Sequence, residues 1–133
     1  MTTWLQQPGA GPSLEFEALL KIHFADNGTK DDILANLAAV RAWVHEQNDE
    51  NLSTARAYLE GKGDFAGRAA INVLGGRFLT DFYVLVAEWS DWAAGVVEGW
   101  PDDVSSAGYD PAVGREAVDR AERLASRWSA ERP

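Results

Sequence analysis

Cysteine is absent from this chain of 133 residues. That excludes disulfides and thiolate metal sites and suits a reducing compartment. Histidine is nearly as scarce. His23 and His45 fall on different predicted helices, without carboxylates at ligand spacing, so neither a metal nor any other cofactor is expected. Basic residues are in deficit, twelve against twenty-one acidic ones, for a net charge of −9. Residues 110–133 hold five of each sign, so residues 1–109 carry the whole imbalance, sixteen acids against seven bases. Such a surface repels phosphate, and direct nucleic-acid binding is not expected. Glu88, Asp91 and Glu98 interrupt the most apolar stretch, so no membrane span is expected. The opening MTTWLQQPGAGPS lacks the basic and apolar regions of a signal peptide. These absences point to a soluble, cytoplasmic, single-domain protein. Strand-like alternation is missing too, and the expected fold class is all-α.

Apolar helical periodicity is abundant. From Asp64, a plausible cap, to Trp100 the sequence reads as one long helix closed by Gly99 and Pro101. Ile71, Leu74, Phe78, Phe82, Leu85, Trp89, Trp92 and Val96 draw one stripe along it; Leu79, Tyr83, Val86, Ala93, Val97 and Trp100 draw a second beside it. Two apolar stripes need two partners. One is expected to pack inside the protomer, and Leu79, Tyr83, Val86, Ala93 and Val97 are assigned to a homodimer interface. The Gly75-Gly76 pair suggests close approach of another helix or a kink.

Earlier in the chain, Pro8, Gly9, Gly11 and Pro12 have linker composition, preceded by Trp4-Leu5, which read as the end of another element. Ser13 is the expected cap of a helix running to Asp26-Asn27-Gly28, with Phe16, Leu19, Leu20 and His23 near one face. Thr29, with Asp32 three residues on, opens a second long helix reaching about Glu60. Ile33, Leu37, Val40, Val44, Leu52, Ala55 and Leu59 mark its apolar face, interrupted by the polar HEQNDEN. Gly61-Lys62-Gly63 turns the chain into the next helix, so the two form a long antiparallel hairpin flanked by shorter helices. Asp110-Pro111 opens a last helix with Val113, Ala117, Ala121, Leu124 and Trp128 on one face, and with Glu116–Arg120 and Asp119–Arg123 as ion pairs.

Catalytic patterns are not evident. The LGGRF glycines sit within a helix rather than after a strand, which is no phosphate loop. Carboxylate pairs such as Glu15/Glu17 and Asp31/Asp32 fall at helix starts, where the macrodipole explains them. The chain does not read as an enzyme. Its six tryptophans are the better clue. A flat, hydrophobic small molecule is expected near Trp89 and Trp92, in a site completed by Phe82, Phe78, Trp43, Arg77 and Asp81.

The stretch SLEFEALLKIHFADNGTKDDILANLAAVRAWVHEQ, followed by a polar middle and INVLGGRFLTDFYVLVAEWSDWAAGVVEGWPDD, resembles the C-terminal domain of PadR-like transcriptional regulators. That family joins a DNA-binding winged helix-turn-helix to a helical domain that dimerises and, in some members, senses small molecules. The resemblance implies a linker remnant over 1–12, the helical domain over 13–103, and an additional loop and helix over 104–133. It also implies a homodimer that works either within a longer protein or by pairing with a full-length PadR-like paralogue, since the family's DNA-reading residues have no counterpart here. A stand-alone protein that sequesters a hydrophobic compound is the alternative, and an enzyme built on the same pocket a more distant one.

Overall fold

The computed structural model describes residues 2–62 and 66–131, and among them the chain is all-α. Its helices are α1 (Thr2–Gln6), α2 (Glu17–His23), α3 (Lys30–Leu59), α4 (Ala69–Glu98) and α5 (Pro111–Glu131), with 3-10 turns at Ala25–Asn27, Ala66–Arg68 and Val104–Ser106.

Local chemistry fixes most of the helix ends. At the start of α3 the Thr29 hydroxyl accepts from the Asp32 N–H at 3.2 Å, and the Asp32 carboxylate accepts from the Thr29 N–H at 2.9 Å. This closes a reciprocal capping box with aspartate in the usual glutamate position. At its other end Gly61 takes the left-handed φ of 72°, while Gly61 and Lys62 donate back to Tyr58 and Ala57. That is the Schellman arrangement, which glycine adopts without a Cβ penalty. At the end of α4, the Lys30 ammonium donates to the Glu98 carbonyl at 2.7 Å, placing a cation where the macrodipole is negative. Asp110 caps α5 by accepting from the Ala112 N–H at 2.9 Å.

Two expected helix starts fare differently. Ser13 does not cap α2, which begins at Glu17 from an extended Phe16 with no side-chain cap. Packing of the Phe16 ring onto Trp89 and the core overrides the local signal. Asp64, the expected opening of α4, lies outside the described residues, as does Gly63. On α5, Asp119 pairs with Arg115 at 4.0 Å rather than with Arg123. Exposed pairs of this kind differ by too little energy for sequence order to choose between them.

The core lies between α3 and α4. Ile33 and Leu37 pack with Ala93 and Val97, while Val40 and Val44 pack with Tyr83 and Val86. Ser90, 1% exposed, is satisfied by donating to the Ala87 carbonyl at 3.0 Å. Thus the start of α3 lies against the end of α4. Farther along, apolar burial stops. Asn51 donates to Thr80 at 2.9 Å and Asn72 to Tyr58 at 3.1 Å. Leu52 and Leu59, expected on the apolar face of α3, are 39% and 88% exposed and Ala55 is exposed, because α4 offers them no buried surface.

One flank of the α3–α4 pair is covered by α2, whose Ala18 carbonyl accepts from Asn36 at 3.0 Å. The segment after α4 is tied down as well. Asp102 accepts from the Lys30 N–H at 3.2 Å, Asp103 forms a β-bridge with Thr29, and Val104 packs on the core. Asp103 accepts from the Ser105 hydroxyl at 2.7 Å and the Ser105 N–H at 3.1 Å, and these bonds hold its carboxyl below the ordinary value of 3.8. α5 has no buried residue.

The expectation that no segment approaches a membrane span needs correction. By length and composition α4 is apolar enough to cross one. The acids Glu88, Asp91 and Glu98 fall in its last eleven residues, leaving only Arg77 and Asp81 charged between Ala69 and Ala87. In the structure α4 packs on α3, whose other faces are exposed and charged.

Candidate interaction face of α4

The two stripes of α4 part company in the structure. Tyr83, Val86, Ala93 and Val97, expected at a subunit interface, are 5–9% exposed and packed on α3 within the protomer; Leu79 stays 40% exposed. The reason is steric. The side of α4 bearing Ala87, Ser90, Ala93 and Ala94 is lined by small residues, so a neighbouring helix can come close there. Phenylalanines and indoles on the other stripe would hold it off.

Part of that other stripe faces outward, while Phe82, Trp89 and Val96 stay half-buried. Ile71, Phe78, Leu85 and Trp92, spaced by sevens, are 60%, 67%, 60% and 43% exposed. Leu74 beside them is 73% exposed. Gly75 and Gly76 have open space where a Cβ would stand, so close approach by an outside helix is unobstructed there. The chain presents 10801 Å² of accessible surface, against about 6,900 Å² for a compact monomer of its mass.

The residues expected to bind a ligand are dispersed. Trp89 is half-buried, edge-on to Phe16 with ring centroids 5.9 Å apart, and Phe82 is half-buried beside Tyr83 at 5.9 Å. Trp43 projects from α3 edge-on to Tyr83 at 6.2 Å and lines a cleft of about 220 Å³ between α2 and α3. That is smaller than the ~300–1,000 Å³ of ordinary ligand sites. Phe78 and Trp92 stand on the open face. Arg77 and Asp81 bind each other, Nε to the carboxylate oxygens at 3.0–3.1 Å, and remain exposed. The protomer does not gather these seven residues into one pocket.

Sequence reasoning missed a groove of about 480 Å³ on the flank of the α3–α4 pair away from α2. Ala38, Ala42 and Ala94 help to form it, and Arg41 pairs across it with Asp91 at 3.3 Å, near His45 and Glu98. No local signal announces it, since Arg41 and Asp91 stand 50 residues apart. No group of acidic or histidine side chains among the described residues is arranged to hold a metal ion. The chain matches no protein-family model, no curated protein and no solved structure.

Proposed function

We propose that this chain is the dimerisation and small-molecule-sensing domain of a PadR-like transcriptional regulator, cytoplasmic and not itself DNA-binding. Its long helices form an antiparallel hairpin that pairs with a second copy. The observation that carries this reading is the outward apolar stripe of α4, Ile71 to Trp92, left open by a protomer with far more surface than a compact one. The likeness to PadR-like C-terminal domains over residues 13–103 supports the regulatory assignment. The deficit of basic residues supports assigning DNA contact to residues other than these 133.

In this reading the ligand site is completed only between subunits. Phe78 and Trp92, too exposed to enclose a guest alone, meet apolar surface from the second copy and stack on a planar molecule. Light scattering on the unmodified chain tests the assembly. A dimer mass is expected at micromolar concentration, with monomer for Phe78→Asp or Leu85→Asp at unchanged helicity. A monomeric unmodified chain refutes the reading.

A further inference from the structure

Of the most apolar eighteen residues of α4, only 6% are buried. In its first half, Ile71, Leu74 and Phe78 are each more than half exposed. Gly75 completes their face, since positions i, i+3, i+4 and i+7 line one side of a helix. A Cβ built on Gly75 meets nothing within 4 Å. The face is therefore a dent ringed by three large apolar side chains. Apolar packing on α3 ends near Tyr83, and beyond it Asn72 holds α4 to Tyr58 from another side of the helix. The dented face stays exposed.

Such a face complements itself in one orientation. Set two copies of α4 antiparallel about a two-fold axis between Leu74 and Gly75. Each Leu74 then enters the dent at the partner's Gly75, and each Ile71 lies against the partner's Phe78. Parallel helices would oppose dent to dent and Phe78 to Phe78, leaving Leu74 without a hole. Charge sets the position of the crossing. Arg77 is the single basic residue of α4, held by Asp81 on the same helix, to one side of the dented face. A crossing at Gly75 brings in no unpaired charge. A crossing at Leu85 would carry Glu88 of both copies to its edge, with no free cation on α4 to meet them.

We infer that two copies of the chain cross antiparallel at Gly75, the Leu74 of each seated at the Gly75 of the other. The inference rests on the proposed dimer and names the part of α4 that forms it. Area agrees, because the surplus surface of about 3,900 Å² per chain exceeds the ~800 Å² that each partner gives up in a standard interface. Helix chemistry agrees as well. A glycine inside a helix costs stability relative to alanine, and a side chain seated in its dent offsets that cost.

Two measurements on the full chain test this. Gly75→Leu fills the dent with a better helix former at an open position, so helicity by circular dichroism holds or rises. The dimer dissociation constant is nonetheless expected to rise roughly tenfold or more, because the contact becomes overpacked. An unchanged constant overturns the inference. In the second measurement, copies of two sizes carry Ile71→Cys and Phe78→Cys, the chain having no cysteine of its own. Mild oxidation of the mixture is expected to give mainly the mixed-size disulfide. Same-size disulfides in its place overturn the inference in favour of parallel helices. No disulfide at all, in variants that light scattering shows to be dimeric, overturns it too and leaves the dimer reading intact. A monomeric unmodified chain removes both, and its sedimentation with neutral lipid vesicles would assign the face to lipid.

Discussion

Leu37→Ala is the most direct probe of the α3–α4 contact. Leu37 is 1% exposed and sits among Ile33, Ala93 and Val97. The substitution deletes three carbons, worth about 2.4 kcal/mol at ~0.8 kcal/mol each. The surrounding helices relax only partly, and the remaining cavity raises the expected loss to about 3–4 kcal/mol. That is a large share of a total stability of about 5–15 kcal/mol. Urea denaturation followed by tryptophan fluorescence reads it out. At a slope of ~2 kcal/mol per molar, the midpoint falls by about 1.5–2 M. Leu59→Ala, at a position 88% exposed, is the control and shifts stability by less than ~0.5 kcal/mol. The measurement is made at two protein concentrations, because coupling to dimerisation makes midpoints concentration-dependent. A loss below ~1 kcal/mol for Leu37→Ala would mean that the start of α3 does not pack on the end of α4.

Asp103 links the segment after α4 to acidity. Its carboxyl is held low by the Ser105 bonds, so its stabilising effect is present above the ordinary carboxylate value and fades as pH falls through its own depressed one. Protection of the Ser105 and Ser106 amides, taken relative to their intrinsic exchange rates, is expected to fall in that acid range, and Asp103→Ala to remove the dependence; an unchanged protection profile in the variant contradicts the assignment. A planar hydrophobic dye is expected to quench the indole fluorescence saturably and more weakly after Trp92→Ala, and binding indifferent to that substitution places the guest elsewhere. The chain alone is expected to leave duplex DNA unretarded in a gel at low salt, and a salt-sensitive retarded band at nanomolar protein overturns this.

The legible parts of the fold are those decided locally. Thr29 with Asp32, Asp110 with Pro111, and the glycine after α3 specify helix ends through bonds a few residues long. Ile33, Leu37, Val40 and Val44 announce a buried face because the opposite side of α3 is polar. On α4 periodicity finds two stripes and cannot rank them, since both are apolar. Helix spacing decides, and it favours the side with Ala87, Ser90 and Ala93 over the side with Phe78, Leu85 and Trp92. Ser13 misleads for a different reason, as Phe16 is held by Trp89, far away in sequence. The aromatic cluster expected at the ligand site dissolves by the same route, because Trp43, Trp89 and Trp92 leave their helices in different directions.

The two long helices are unequally joined along their length. Apolar burial ends near Val44 and Tyr83, and beyond them the strongest links are amide-to-hydroxyl bonds at Asn51–Thr80 and Asn72–Tyr58. Such bonds exchange readily with water and contribute only about 0.5–1.5 kcal/mol each. The far half can therefore unzip from the glycine turn inward while the near half keeps its cluster, two layers of different ruggedness in one helix pair. Amide protons between Asn51 and Leu59 would then exchange through frequent partial opening, and those around Leu37 only through global unfolding. A molecule that grips the far half of α4 would stiffen it, converting occupancy there into order along the whole pair.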